Sequence, residues 1–206
     1  MTVIRLSDDG LFLHSPVELD DALRAELDSL GAVRAIVAPN KFHHLYAGDC
    51  RAAYPNAKLY GVMGLPEKRK DLRFDGMLAD EPRVEWRGDI EQRRIHGMPM
   101  VNEVAFFHPD SATLILTDLV FNVSASRPWG VPVLAKMLGV GGGFGPSRLG
   151  RWLIRDQQAV RESLGHILRW KFDRLILAHG DVVETGGYRK LRDAFGFILG
   201  AAVRAQ

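Results

Sequence analysis

Hydrophobic positions along the chain fall into short dense runs separated by polar turns, with helical spacing between some of them. Ala35-Ile36-Val37-Ala38, Thr113-Leu114-Ile115-Leu116 and Arg174-Leu175-Ile176-Leu177-Ala178 have the length and apolar make-up of buried strands. Lys58 to Val62, Glu91 to Ile95 and Val104 to Phe107 read as further strands, and Pro109-Asp110-Ser111 turns the chain back between two of them. At the start, Thr2 to Leu6 and Leu11 to His14 flank Asp8-Asp9-Gly10, a pattern that favours a hairpin.

Helical spacing follows. Ser15-Pro16-Val17-Glu18 has the form of a capping box with Pro at the first helical position, which predicts a helix from there to about Leu30, stopped at Gly31. Leu19, Leu23, Leu27 and Leu30 would form its buried stripe. Gly48 to Tyr54 predicts a short helix, and Arg155 to Trp170 a longer one containing His166 in a structural role. Thr185 is expected to cap a last helix from about Gly187 to Val203.

Three of the strand-like runs are each followed by residues that ligate metals. These are Asn40-Lys41-Phe42-His43-His44, Thr117-Asp118 and Ala178-His179-Gly180-Asp181. Neutral imidazole and carboxylate suit zinc, iron and manganese, and sheets commonly carry their sites where strands end. His108, beside the turn at the opposite end of its strand, is expected at the surface.

The arrangement resembles the metallo-β-lactamase-like hydrolase superfamily over nearly the whole chain. Pro39-Asn40 with His43-His44-Leu45, then Asn102-Glu103, then Thr117-Asp118-Leu119 is similar to a divergent, functionally uncharacterised branch of it. The resemblance implies an α+β fold, a four-layer αβ/βα sandwich, with the site along one edge. It also implies a metal held by His43, His44, Asp118 and His179, with His44 in the place of the motif's last His and His43 in the place of its Asp. Lys41 and Pro39 stand where two leading histidines belong, and no His stands near Pro99, where the family's middle ligand falls; His96 is three residues early. One metal's ligands are therefore largely missing, and a mononuclear site with one divalent transition metal is expected, zinc first, with iron or manganese as alternatives. Asp118 and, more weakly, Glu103 are the candidate catalytic groups, Glu103 as an extra ligand or general base. The expected activity is metal-dependent hydrolysis of an ester, lactone or phosphate in a small-molecule substrate. A metal-free binding or scaffold protein and a non-haem iron redox enzyme stay open as alternatives.

Composition narrows the partners. The 206 residues are 47% hydrophobic and nearly charge-balanced, 27 basic against 25 acidic, which fits one domain over residues 1–206 with a sizeable core. A formal charge of +2 gives no footprint for nucleic acid, and no run approaches a membrane span. One cysteine, Cys50, excludes an intramolecular disulfide and a Cys-based zinc cluster, and a cytoplasmic location follows as the expectation. The segment from 122 to 152, with its glycine run Gly139 to Gly145, is expected to be a lid or insertion walled by Trp129, Phe144 and Trp152. The alternative is a short helix over Val131 to Leu138 that packs on a second subunit and makes a homodimer.

Overall fold

The computed structural model describes residues 1–123 and 143–200. Its first half is a five-stranded sheet, ordered β1 (Thr2–Arg5), β2 (Leu11–His14), β3 (Val33–Val37), β4 (Lys58–Gly61) and β5 (Gly76–Met77). The β1–β2 hairpin is antiparallel and the rest of this sheet is parallel. The second half is a four-stranded sheet in the order β11 (Arg174–Leu177), β8 (Thr113–Leu116), β7 (Val104–His108) and β6 (Glu91–Arg94), in which only β11 and β8 run parallel. β9 (Phe121–Val123) pairs with β10 (Gly143–Gly145) to form a small ribbon across the ends of 124–142.

The alternation of side chains along each strand explains the layers. Phe12, Ala35, Val37 and Tyr60 from one sheet meet Val104, Phe106 and Ile115 from the other in a shared inner core with Trp86. The intervening residues face outward. Leu11, Leu13, Ile36 and Leu59 pack under α1 (Asp21–Leu30) and α2 (Ala47–Ala53), and the short α3 (Leu65–Lys68) adds Leu65 to the inner core. Ala105, Phe107, Leu114, Leu116, Leu175 and Leu177 pack under α5 (Gln157–Ile167), α6 (Gly187–Ala194) and α7 (Gly196–Leu199). Strands buried on both faces read as unbroken apolar runs rather than as alternation. The result is an α+β sandwich of four layers, helix, sheet, sheet, helix, as the resemblance implied.

Several local expectations are corrected. The first helix begins at Asp21, not at Ser15: Asp20 caps it, its side chain accepting from the Leu23 amide. Ser15 has φ 54° and its hydroxyl is committed to His43, so it is unavailable as a cap. Leu27 is the buried residue of that helix, whereas Leu30 is 38% exposed. The last helix is interrupted at Phe195 and ends at Gly200. Gly186, in the left-handed region, starts it with no side-chain cap, so Thr185 does not serve as one. Of the expected lid, Trp129, the helix over 131–138 and most of the glycine run lie outside the described residues. Phe144 packs on the outer core, and Trp152, in α4 (Arg148–Trp152), is exposed. Cys50 is buried on α2, and burial pushes its thiol up to about 12, as suits a packing residue. Among the described residues no helix is long and apolar enough to cross a membrane.

His14 is the weak point of the inner core. It is buried against the edge of Phe106, with ring centroids 5.3 Å apart, and its Nε2 has no hydrogen-bond partner among the described residues. Burial first, then the neighbouring positive groups, lower its pKa to about 3. Because the folded value lies below the unfolded one, the unfolded chain binds more protons between those values. Stability is full above the unfolded pKa, near 6.5, and falls as pH drops toward 3. Urea denaturation of wild type and His14→Leu should therefore show wild type losing about 2 kcal/mol more than the variant between pH 7.5 and pH 5. Parallel losses would mean that His14 is not buried in the neutral form.

Candidate metal centre

β3, β8 and β11 end on the same edge, and each delivers one group. Leu177 pairs with Leu116 in register, so Thr117-Asp118 and Ala178-His179 leave neighbouring parallel strands side by side. The turn after β3 brings His43 from the other sheet. The Nε2 atoms of His43 and His179 are 3.2 Å apart, His179 Nε2 is 3.1 Å from Asp118 Oδ1, and His43 Nε2 is 3.4 Å from Asp118 Oδ2. One ligand atom from each residue lies within 4.8 Å of the others.

The surroundings aim these groups. Asn40, fully buried, accepts at Oδ1 from the Phe42 and His43 amides, both at 2.8 Å, which shapes the turn as an Asx motif. Its Nδ2 donates to Asp118 Oδ2 at 2.6 Å and Thr117 Oγ1 at 2.9 Å. The two amide-bound contacts fix which atom of Asn40 is oxygen. Ser15 Oγ lies 2.7 Å from His43 Nδ1 and leaves Nε2 directed at the cluster. His179 stacks on Phe121 with the rings 13° from parallel. A Cβ on Gly180, φ 113°, would run into the Asn122 backbone, so the turn beyond His179 is restricted to glycine. The Asp181 backbone amide donates to the Asn122 carbonyl in the same turn.

Glu103 sits behind this edge, 1% exposed. Its Oε1 accepts from the Thr117 amide at 2.7 Å and its Oε2 from the Asp118 amide at 2.8 Å. Glu103, expected as an extra ligand or general base, is outside the grouped ligand atoms, and each of its oxygens accepts from a backbone amide, so the residue braces the strand end that presents Asp118. Burial, then the adjacent Asp118 charge, push Glu103 up to about 7, against the pull of the two amides. For Asp118 burial acts upward too, but hydrogen bonds from His179, His43 and Asn40 outweigh it and hold the carboxyl well below the usual range. The Asp118 hydrogen bond correspondingly raises His179. Negative charge is thus concentrated on Asp118, the carboxylate that faces the cluster.

His44, also expected as a ligand, is outside the group of ligand atoms: its Nδ1 is 3.1 Å from the Arg69 guanidinium, which donates to it, and the same nitrogen of Arg69 donates to the His44 carbonyl. Burial and the charges of Lys68 and Arg69 lower its pKa. Consecutive side chains in a helical turn point roughly 100° apart, so adjacent histidines do not share one ion there. His108 bonds Ser111 at the distant turn, and His166 meets Arg169 on its helix. Asn40 and Ser15 are the positioning residues that the sequence reading passed over. Asn-x-x-His at a strand end is the signal for the first, and the apparent capping box concealed the second.

A family model described as a domain of unknown function, DUF4336, matches residues 1–137, which include His43 and Asp118 but not His179. Comparison with curated proteins finds no match. The fold is similar to that of the DIM-1 metallo-β-lactamase, with a TM-score of 0.62 and 14% identity over 99% of this chain and 86% of that one. A metallo-β-lactamase from Pontibacter korlensis gives a TM-score of 0.60 and 12% identity over 99% and 86%. The flavodiiron core of Flv1 from Synechocystis sp. PCC6803 gives 0.61 and 12% over 96% of this chain and 51% of that one. These likenesses show a metallo-β-lactamase-like fold.

The Asn40 network makes a direct prediction. Asn40→Asp keeps the shape but replaces a donor by an acceptor beside the Asp118 carboxylate, and should destabilise the protein by about 2–4 kcal/mol in chemical denaturation. A stability within 0.5 kcal/mol of wild type would remove Asn40 from the centre of the site.

Proposed function

The chain belongs to the DUF4336 family, and on its metallo-β-lactamase-like fold we propose a metal-dependent hydrolase with a mononuclear centre held by His43, Asp118 and His179. The observation that carries the reading is the convergence of two imidazole nitrogens and a carboxylate from three separate strand ends, within 4.8 Å. Two Nε2 atoms 3.2 Å apart can share only one proton between them, whereas a cation accepts both lone pairs and the Asp118 charge. The donor set therefore fits a borderline divalent metal, and three protein ligands leave a position open, as in catalytic zinc sites. When bound, such an ion lowers the pKa of a coordinated water toward neutrality and polarises an ester, lactone or phosphoryl oxygen.

The chain's own groups perform the rest. Ser15 holds the His43 ring through Nδ1 so that Nε2 meets the cluster, and Asn40 with Glu103 fixes where Asp118 stands. Asp118 is the carboxylate held ionised at the cluster, and it supplies the negative charge that would hold and orient a metal-bound nucleophile there. His179, 44% exposed at its side chain, faces solvent. Phe42 and Leu45, 46% and 70% exposed, line with it a cavity of about 390 Å³ and supply apolar walls for a small substrate. The same donors suit non-haem iron, which sustains a redox reading on a fold shared with a flavodiiron core.

Elemental analysis of protein purified without a metal column tests the reading. Close to one zinc or manganese per chain is expected, lost in His179→Ala and Asp118→Ala and kept in His108→Ala and His166→Ala. Iron instead would favour the redox reading, and no metal after incubation with each ion would leave a binding or scaffold protein. Ser15→Ala should weaken the metal about 10–100-fold with little change in fold, measured by competition with a chromogenic chelator.

A further inference from the structure

A second cavity, also about 390 Å³, shares the Asn40–His44 turn through Lys41 and is lined by Met63, Arg94, His96, Met98 and Asn102 among others. Among the described residues no carboxylate lines it. Its two permanent cations lack the partners such groups usually find. Lys41 Nζ donates to the Pro99 carbonyl at 3.0 Å, and Arg94 to the Met63 sulfur at 3.7 Å and to His96 Nδ1 at 3.2 Å. Neither is in an ion pair among the described residues.

The support behind them is specific. His96 Nε2 lies 2.8 and 3.0 Å from the two Asp80 oxygens, so Asp80 holds the proton on Nε2 and leaves Nδ1 to accept from Arg94. Arg94 is thereby oriented through an imidazole rather than neutralised by a carboxylate. Lys41 lies across Gly64, φ 89°, where an added Cβ would clash with the lysine stem. Asn102, itself at φ 51°, donates to the Met63 carbonyl and fixes the turn between the two cations.

We propose that this cavity binds a phosphoryl dianion, as free phosphate or as a small phosphomonoester. Two cations with no acidic neighbour on the walls match a charge near −2. A guanidinium fork with a lysine point charge is the pairing that phosphoryl oxygens take, and Met63 and Met98 leave an apolar wall for a carbon skeleton. This site stands on its own residues and does not rest on the metal reading.

The test is a titration of ¹³C-methyl-methionine-labelled protein with inorganic phosphate at constant ionic strength set by chloride, followed by NMR. Met63 and Met98 should shift saturably while Met77, which does not line the cavity, stays in place. Arg94→Gln should weaken binding at least tenfold with Met77 unmoved, and Lys41→Met should do likewise. Glycerol phosphate binding tighter than phosphate would identify an ester as the occupant, and the reverse free phosphate. No saturable shift, or undiminished affinity in both cation variants, would each overturn the proposal.

Discussion

The side chain of Asn40 is the constraint on which the candidate site depends. A buried primary amide must place two donors and an acceptor, and here every one is spent: the oxygen within its own turn on the Phe42 and His43 amides, the nitrogen across the gap between the two sheets on Thr117 and Asp118. An amide satisfied in this way costs little, while the same amide deprived of one partner costs a kilocalorie or more. That asymmetry locks the turn after β3 to the end of β8. Without it His43 would be carried by a loop with no reason to approach Asp118. The lock also explains why a polar residue is fully buried at the edge of an apolar sandwich.

Glu103 does for the strand end what Asn40 does for the turn. Two amides at the end of β8 have left the ladder and would be buried unpaired, and one carboxylate caps both. Placing a second acid so near Asp118 sets up a competition over which carboxylate keeps the negative charge. Asp118 wins it because three donors converge there, while Glu103 is enclosed in apolar surroundings. The charge is thereby delivered to the solvent-facing side of the strand end, where a cation or a proton can reach it.

The fold was largely legible because its strands are buried on both faces. Such strands appear as bare apolar runs, and a ligand-type residue just beyond each run stands out against them. The parallel pairing of β8 and β11, which sets Asp118 beside His179, follows from no local pattern and required the assembled sheet. What misled were residues whose local and tertiary partners compete. Ser15 satisfies the pattern of a helix cap, yet its hydroxyl is spent on the half-buried His43 imidazole, and Asp20, five residues on, caps the helix instead. The His43-His44 pair was legible as a turn of ligand-type residues, but not which ring joins the Asp118–His179 cluster, because the turn's rotation, fixed by Asn40, decides which ring faces inward. Glu103 announced itself as an acid near the site, and only its burial against two amides shows that it acts on the backbone.

The same rotation gives the turn two chemical faces. Asn40 holds residues 42 and 43 by their amides, which directs His43 to the strand ends, while the Lys41 amide is tied to the Val101 carbonyl on the other side. Lys41, standing where the resemblance implies a second histidine, is therefore not a random loss from a ligand set. A lysine ammonium beside two imidazoles and a cation would be repelled, and the structure resolves that conflict by sending it away, over Gly64, toward Arg94 and a cavity with no acidic wall. A glycine with positive φ at position 64, an arginine steadied by His96 and Asp80, and an asparagine with positive φ at 102 all serve that second direction. With the proposed phosphoryl site, a lysine at this position would turn its side of the turn toward anion binding, while the Asn40 lock holds the other side.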